Sequence, residues 1–271
     1  MFLKLGGSLI TEKTERYTPR PAKLRALAGE IRAAVDEMPG LRLVVGHGSG
    51  SFGHYAVHDH LNASDFPMAT EGRGRSETSY WQGFAEVWYR ASQLNRHVID
   101  ALHEAHVPAI SHAPSSAATS SGGAIASWDL SSLRAALGSG VLPLIFGDIV
   151  FDDRQGGKVL STEVLMWHLA HELRPNRILL AGLEAAVWAD FPSRTSPIAK
   201  ITPSTFEEIT DRIGGSHGPD VTGGMKSKVA EMLSLVQSVP GLSVRIFSGE
   251  EEGNIRRILQ GESIGTLIAS D

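Results

Sequence analysis

Lysines stand beside short glycine runs along this chain. Lys4 precedes Gly6-Gly7-Ser8, Lys13 follows that run, and Lys226 and Lys228 follow Thr222-Gly223-Gly224. A longer run, Leu41–His54 (LRLVVGHGSGSFGH), carries Gly46, Gly48, Gly50 and Gly53, with His47 and His54 among them. Glycine lets backbone N–H groups approach a ligand closely, and a helix starting there adds its positive end. Phosphoryl transfer is mostly positioning plus neutralisation of spread negative charge, so lysines on glycine loops are the parts it needs. Each lysine taken singly reads as a solvated charge. Their association with the loops is what points to phosphate.

Other chemistries compete for the same residues. Gly48-Ser-Gly50-Ser-Phe-Gly53 also matches the dinucleotide fingerprint G-x-G-x-x-G, with Asp65 and Glu71 near the distance expected of a ribose-binding acid. The segment between does not read as a helix followed by a strand, which weighs against a dinucleotide-binding oxidoreductase. The NTPase loop G-x-x-x-x-G-K-[ST], the G-x-S-x-G elbow and H-E-x-x-H are all absent. His54, His58 and His60 are the nearest thing to a metal cluster, but His58 and His60 read as members of a solvated loop, and no protein metal site is expected. Asp148 and Asp152 or Asp153 could orient a lysine or bind magnesium.

These residues need elements to hold them. The pattern predicts strands at 2–5, 41–45, 107–111, 141–146, 177–181 and 243–247, with 265–269 as a closing edge strand. Helices are expected at 21–38, 80–105, 130–137, 162–173, 204–213, 225–239 and 253–259, and a hairpin over 149–160. Residues 56–77 read as a surface segment or lid, and 114–123 as a Ser/Gly-rich loop. The stripe Tyr80, Phe84, Val87, Ala91, Leu94, Val98, Leu102, flanked by Trp81 and Trp88, reads as core packing or as an apolar wall for a ligand. Alternating strands and helices imply a parallel sheet covered on both faces, with ligands beyond the carboxyl ends of its strands. The glycine loops after the strands at 2–5, 41–45 and 141–146 all fall on that edge.

Bulk properties bound the answer. The chain has 271 residues, 42% of them hydrophobic and 20% charged, enough for an unstapled core. It has no cysteine, which excludes disulfides and thiolate chemistry. A net charge of −5 argues against nucleic acid as a partner. The N-terminal apolar stretch is short and broken by glycines, so no membrane span is expected and the cytoplasm is the default location.

Four ordered motifs together carry a resemblance. Lys4-Leu-Gly-Gly-Ser8, Gly46–His54, Gly147-Asp-Ile-Val-Phe-Asp152 and Asp220-Val-Thr-Gly-Gly-Met-Lys-Ser-Lys228 resemble the amino acid kinase superfamily, and His54, Lys13 and the 220–228 run resemble its isopentenyl phosphate kinase branch. The resemblance implies an open three-layer αβα sandwich with a mainly parallel central sheet, formed as one domain over 1–271. Residues 1–175 would form the acceptor-phosphate lobe and 176–271 the nucleotide lobe. It further implies a homodimer using ATP and Mg²⁺ to phosphorylate a small phosphate such as isopentenyl phosphate; a kinase for another phosphomonoester or a phosphonate, similar to fosfomycin kinase, keeps the same logic. A nucleotide sensor without catalysis is a further alternative. By resemblance Lys4, Gly6, Gly7, Ser8 and Gly50 hold ATP, Lys13 steadies the transferring group, Ser49, Gly50 and His54 hold the acceptor phosphate, Thr162 lies on the acceptor side, and Gly224 and Lys228 on the nucleotide side. Three stretches depart from the family pattern: Gly182-Leu-Glu-Ala-Ala186 replaces T-D-V-D-G, Ser161-Thr-Glu163 replaces S-G-D, and Ser49 replaces a glycine. The Thr162 side chain is expected to crowd a close approach.

Overall fold

The computed structural model describes residues 1–61, 77–210 and 224–271. In chain order these form β1 (Phe2–Leu5), α1 (Gly7–Ile10), α2 (Pro21–Glu37), β2 (Val44–His47), α3 (Gly50–His60), α4 (Glu77–Glu104), β3 (Ala109–Ser111), β4 (Ala118–Ser121), β5 (Ala124–Trp128), α5 (Ser131–Gly138) and β6 (Leu142–Phe146). There follow β7 (Asp148–Asp152), β8 (Gly156–Leu160), α6 (Thr162–Leu173), β9 (Arg177–Gly182), β10 (Val187–Trp188), β11 (Pro197–Ile198), β12 (Lys200–Ile201), α7 (Pro203–Ile209), α8 (Gly224–Ser238), β13 (Ser243–Ser248), α9 (Asn254–Leu259) and β14 (Thr266–Ile268).

Eight strands make the central sheet in the order β12-β14-β13-β9-β1-β2-β6-β3, parallel throughout except where β14 runs against β13. The mainly parallel, two-faced sheet expected from the sequence is therefore present. β1 sits near the middle, paired with β2 on one side and β9 on the other. Successive strand residues point to opposite faces. Phe2, Val44 and Ile145 join α6 and α8 in one core; Leu3, Leu5, Val45 and Leu144 join α2, α4 and α9 in the other. This alternation places Lys4 on the α6/α8 face and His47 on the α4 face. A second sheet, β5-β4-β7-β8, holds the hairpin expected at 149–160.

Several expectations need correction. The second strand begins at Val44, not Leu41, and runs through Gly46 and His47, whose buried backbone completes the ladder with β1 and β6. Residues 56–60, read as part of a lid, belong to α3, so His58 and His60 are helical; residues 62–76, with Asp65 and Glu71, lie outside the described residues. The supposed loop 114–123 folds into a 3₁₀ turn and β4, which pairs with β5 and β7. Strand β14 is not the edge, because β12 pairs outside it. Helix α7 is described only to Ile209, and 211–213 of the expected helix lie outside the described residues.

Candidate active site

Two glycine loops interlock at the carboxyl edge of the sheet. β1 ends into Gly6-Gly7, which starts α1, and β2 ends into Gly48-Ser49-Gly50, which starts α3. A Cβ added to Gly7 would lie 2.4 Å from the Gly50 nitrogen, and one added to Gly48 would lie 2.8 Å from the Gly7 nitrogen. Only glycine permits this approach, and Gly50 itself has φ +51. Thr11 ties the two helices together: its buried hydroxyl donates to the Gly7 carbonyl at 2.9 Å and accepts from the Ser51 N–H at 3.0 Å. The first N–H groups of α1 and α3 have no partner inside their helices, and the positive helix ends face the same region.

A charge cluster adjoins these loops. Lys4 is buried, 7% exposed, and its ammonium donates to the carboxylate of Glu163, the second residue of α6. Lys228 of α8 approaches the same carboxylate at 3.8 Å. The sheet's alternation explains the meeting, since Lys4 shares Phe2's face and α6 and α8 cover that face. Burial pushes the Glu163 carboxyl up, but Lys4 and Lys228 outweigh this and hold it down at about 2. Burial pulls the Lys4 ammonium below its ordinary value, and the Lys228 charge adds to that, with Glu163 opposing both. Glu231, one turn beyond Lys228, is pushed up by burial and by the Glu163 charge. A buried cation flanked by a second cation and leaning on one carboxylate favours the arrival of further negative charge.

The structure distributes the other sequence candidates unequally. Ser49 is the N-cap residue of α3, and exposed His54 lies in that helix's second turn. Lys13 is exposed in the turn following α1. That turn is strapped to α3 by Tyr55, whose hydroxyl donates to the Thr14 carbonyl, and by the Arg16–Asp59 ion pair. Gly224, at φ +73, opens α8; Asp220–Gly223 lie outside the described residues. The Thr162 side chain does not crowd the cleft. Its hydroxyl is buried and donates to the His47 carbonyl at 2.6 Å, while its methyl abuts Gly46.

Asp148 and Asp152 do not serve the lysines. Asp148 accepts from the N–H groups of Ser115 and Ile149, and burial pushes its carboxyl up to about 6. Asp152 accepts from four N–H groups, those of Gly122, Gly123, Arg154 and Gln155, and from the Ser120 hydroxyl. Both acids stabilise turns of the small sheet. Among the described residues, no group of three or more His or acidic side chains is gathered to hold a metal. Glu163, His47 and Thr11 received no role from the sequence. Glu163 stands out there only as part of Ser161-Thr-Glu163 in place of S-G-D, and only the α6/α8 packing reveals its partners.

The model of the Amino acid kinase family matches residues 1–248. The chain belongs to this family. Its curated relatives include isopentenyl phosphate kinases from Methanocaldococcus jannaschii, 32% identical over 98% of this chain and 97% of the relative, and from Methanothermobacter thermautotrophicus, 31% identical over 99% and 98%. Among solved structures, an isopentenyl phosphate kinase matches with a TM-score of 0.80 at 29% identity, covering 98% of this chain and 99% of the other. The chain therefore has the amino acid kinase fold. Against that family's pattern the departing loop after β9 is locked from within: Glu184 accepts from Trp188 Nε1 at 2.8 Å and pairs with Arg194.

The aromatic stripe of α4 resolves into two parts. Tyr80, Phe84, Val87, Ala91, Leu94, Val98 and Leu102 are buried, as core packing requires. Trp81 instead meets Phe151 of β7, their ring centroids 5.9 Å apart, and both line a cavity of about 600 Å³ with Thr119, Asp152 and Arg154.

Proposed function

We propose that this amino acid kinase transfers the γ-phosphoryl group of ATP to isopentenyl phosphate, giving isopentenyl diphosphate and ADP. The observation that carries the reading is the Lys4–Glu163–Lys228 cluster set against two interlocked glycine loops, in a chain related end to end to isopentenyl phosphate kinases. In the transfer, an oxygen of the acceptor phosphate forms a bond to the γ-phosphorus while the bond from that phosphorus to the β,γ-bridging oxygen breaks. A phosphomonoester has its second pKa near ~6, so its oxygen is anionic at neutral pH and no general base is required. The obstacle is repulsion between two anions, and the remedy is converging positive charge.

The family resemblance supports the following roles. The Gly6-Gly7-Ser8 loop, through the N–H groups of Gly7 and Ser8, and the Lys4 ammonium take the triphosphate, with Gly224 and Lys228 also on the nucleotide side. Ser49, Gly50 and His54 take the acceptor phosphate, Thr162 contributes its backbone, and Lys13 steadies the group in flight. Glu163 holds Lys4 and Lys228 at a common point. Mg²⁺ accompanies ATP, bound chiefly by the phosphates. Residues 1–175 hold the acceptor together with the Lys4–Ser8 part of the triphosphate site, and 176–271 the rest of the nucleotide site. The Trp81–Phe151 surface offers an apolar wall to a hydrocarbon tail, which favours a prenyl acceptor over a polar phosphonate. The protein works in the cytoplasm as a homodimer; half-exposed Ile110 on edge strand β3 suits a covered edge. Among the described residues no helix is long and apolar enough to cross a membrane.

The test is a coupled assay of ADP release with ATP, Mg²⁺ and a panel of small phosphates and phosphonates. Isopentenyl phosphate is expected to accelerate release most. No release above background with it ends the proposal.

A further inference from the structure

His47 is fully buried, on the opposite face of the sheet from Lys4, and touches neither glycine loop's open side. Its ring stacks on Phe146 with centroids 5.6 Å apart and planes 8° from parallel. Nδ1 lies 3.0 Å from the carbonyl oxygen of Gly48, the next residue in the chain. Nε2 lies 3.3 Å from the amide oxygen of Asn95 on α4, and the amide nitrogen of Asn95 lies 2.8 Å from the Ser111 hydroxyl on β3. Desolvation holds the imidazole down at about 4, so it is neutral at physiological pH.

A neutral imidazole has one N–H, and a carbonyl can only accept, so the proton sits on Nδ1. The Asn95 oxygen facing Nε2 can also only accept, but the Asn95 amide can turn over and the Gly48 carbonyl cannot: turned over, the amide nitrogen donates to Nε2, its oxygen accepts from the Ser111 hydroxyl, and every member of the chain is satisfied. The consequence falls on a single peptide plane. The C=O of Gly48 and the N–H of Ser49 belong to the same trans peptide and point in opposite directions. Anchoring that C=O on His47 in the interior turns the Ser49 N–H outward. Among the described residues this N–H has no acceptor. The His47 backbone adds a second anchorage, its carbonyl accepting from Gly147 N–H at 3.1 Å and from the Thr162 hydroxyl at 2.6 Å.

We propose that His47 is a positioning residue for the acceptor phosphate: by holding the Gly48 carbonyl inward it presents the Ser49 N–H to that phosphate. Asn95 and Ser111 fix the imidazole tautomer from the edge of the sheet. This rests on the kinase reading above and goes beyond it, because His47 touches no substrate.

Two conservative variants separate positioning from packing. The side-chain nitrogen of asparagine is bonded to Cγ, as imidazole Nδ1 is, so His47→Asn keeps a donor for Gly48. The terminal amide of glutamine lies one bond further out, as Nε2 does, so in His47→Gln its oxygen keeps the Asn95 contact and the Gly48 donor is lost. Steady-state kinetics with ATP and isopentenyl phosphate are the readout. His47→Gln is expected to raise the KM for isopentenyl phosphate about tenfold or more, the cost of one lost hydrogen bond and its orphaned carbonyl, with the KM for ATP held within about twofold. His47→Asn is expected to restore most of that loss. Equal damage from both variants, or parallel rises in both KM values, overturns the proposal while wild-type turnover keeps the kinase reading standing. Absent wild-type turnover, the kinase reading falls and this proposal with it. With Ser49→Ala as the reference for the lost hydroxyl, Ser49→Pro leaves the buried histidine alone: Ser49 has φ −76, which proline adopts, and beyond the hydroxyl it removes only the N–H. It is expected to reproduce the rise in acceptor KM, and an unchanged value also overturns the proposal.

Discussion

The most consequential residue pair is Lys4 with Glu163, because its two members have opposite effects on stability. Glu163 is held from its ordinary 4.5 down to about 2, so between those values the unfolded chain binds more protons than the folded one. Its stabilisation is therefore full above about pH 4.5 and is lost as pH falls toward 2. Lys4 is shifted down, so burying its charge costs stability at neutral pH. Glu163→Gln is expected to lower stability by about 3 kcal/mol at pH 7, with the gap to wild type closing between about pH 4.5 and 2. Denaturant titrations across that range check it, and a gap independent of pH refutes it. Lys4→Met should also destabilise, since it strips Glu163 of its nearer partner. The double variant Lys4→Met/Glu163→Leu should recover most of that loss without recovering any turnover. If the double variant is the less stable, the pair is structural and not a charge store for the substrate.

At the scale of elements, the two glycine loops act as one unit, and substitutions in them should separate from substitutions elsewhere. Gly7→Ala drives a Cβ into Gly50 backbone atoms at 2.4 and 2.6 Å, which no side-chain rotation can relieve. We expect a loss of about 1–3 kcal/mol of stability and a rise in KM for both substrates, because both helix ends shift. Gly29→Ala, in the middle of α2 with open space around its Cα, should instead raise stability by about 0.5–1 kcal/mol and leave turnover unchanged. Thermal melts and steady-state kinetics on the pair decide between a local and a general effect of glycine. The same loops mark where the sequence stopped being legible. Long periodic helices and the apolar strands β1, β6 and β9 were readable because burial imposes their period. The start of α3 was not, because Gly50 and Gly53 look like loop even where tertiary contact with Thr11 and the local contact with the N-cap Ser49 demand glycine inside a helix. β4 and β5 were missed because Ala, Ser and Thr carry no alternation; Asp152's hold on their turn supplies what burial does not. Asp148 read as an acid that could orient a lysine or bind magnesium, yet its carboxylate accepts from two N–H groups. The family pattern favoured Lys228 but left open whether Lys226 shares its work; the helix brings Lys228 to 3.8 Å from Glu163.

The molecule as a whole is organised so that both halves of the chain hang from one sheet. β1, β2, β6 and β3 come from residues before 150, and β9, β13, β14 and β12 from residues after 175, joined at the β1–β9 pairing. The two cores on its faces each draw on both halves: one combines Phe2 and Val44 with Met232 and Val244, the other Leu3 and Leu27 with Phe247 and Ile258. No fold built this way has an acceptor lobe that can melt while a nucleotide lobe survives. Ligands taken up by either side should therefore stabilise the same event. A non-hydrolysable ATP analogue with Mg²⁺, and separately isopentenyl phosphate, should each shift one thermal transition upward without splitting it. At a free concentration near 100 times Kd each should contribute about 2.7 kcal/mol, a rise of about 5–10 °C in Tm for a chain of this size. Differential scanning calorimetry with each ligand alone is the measurement. If the acceptor shifts one of two resolved transitions and leaves the other in place, then the lobes fold independently and the shared sheet is not what couples them.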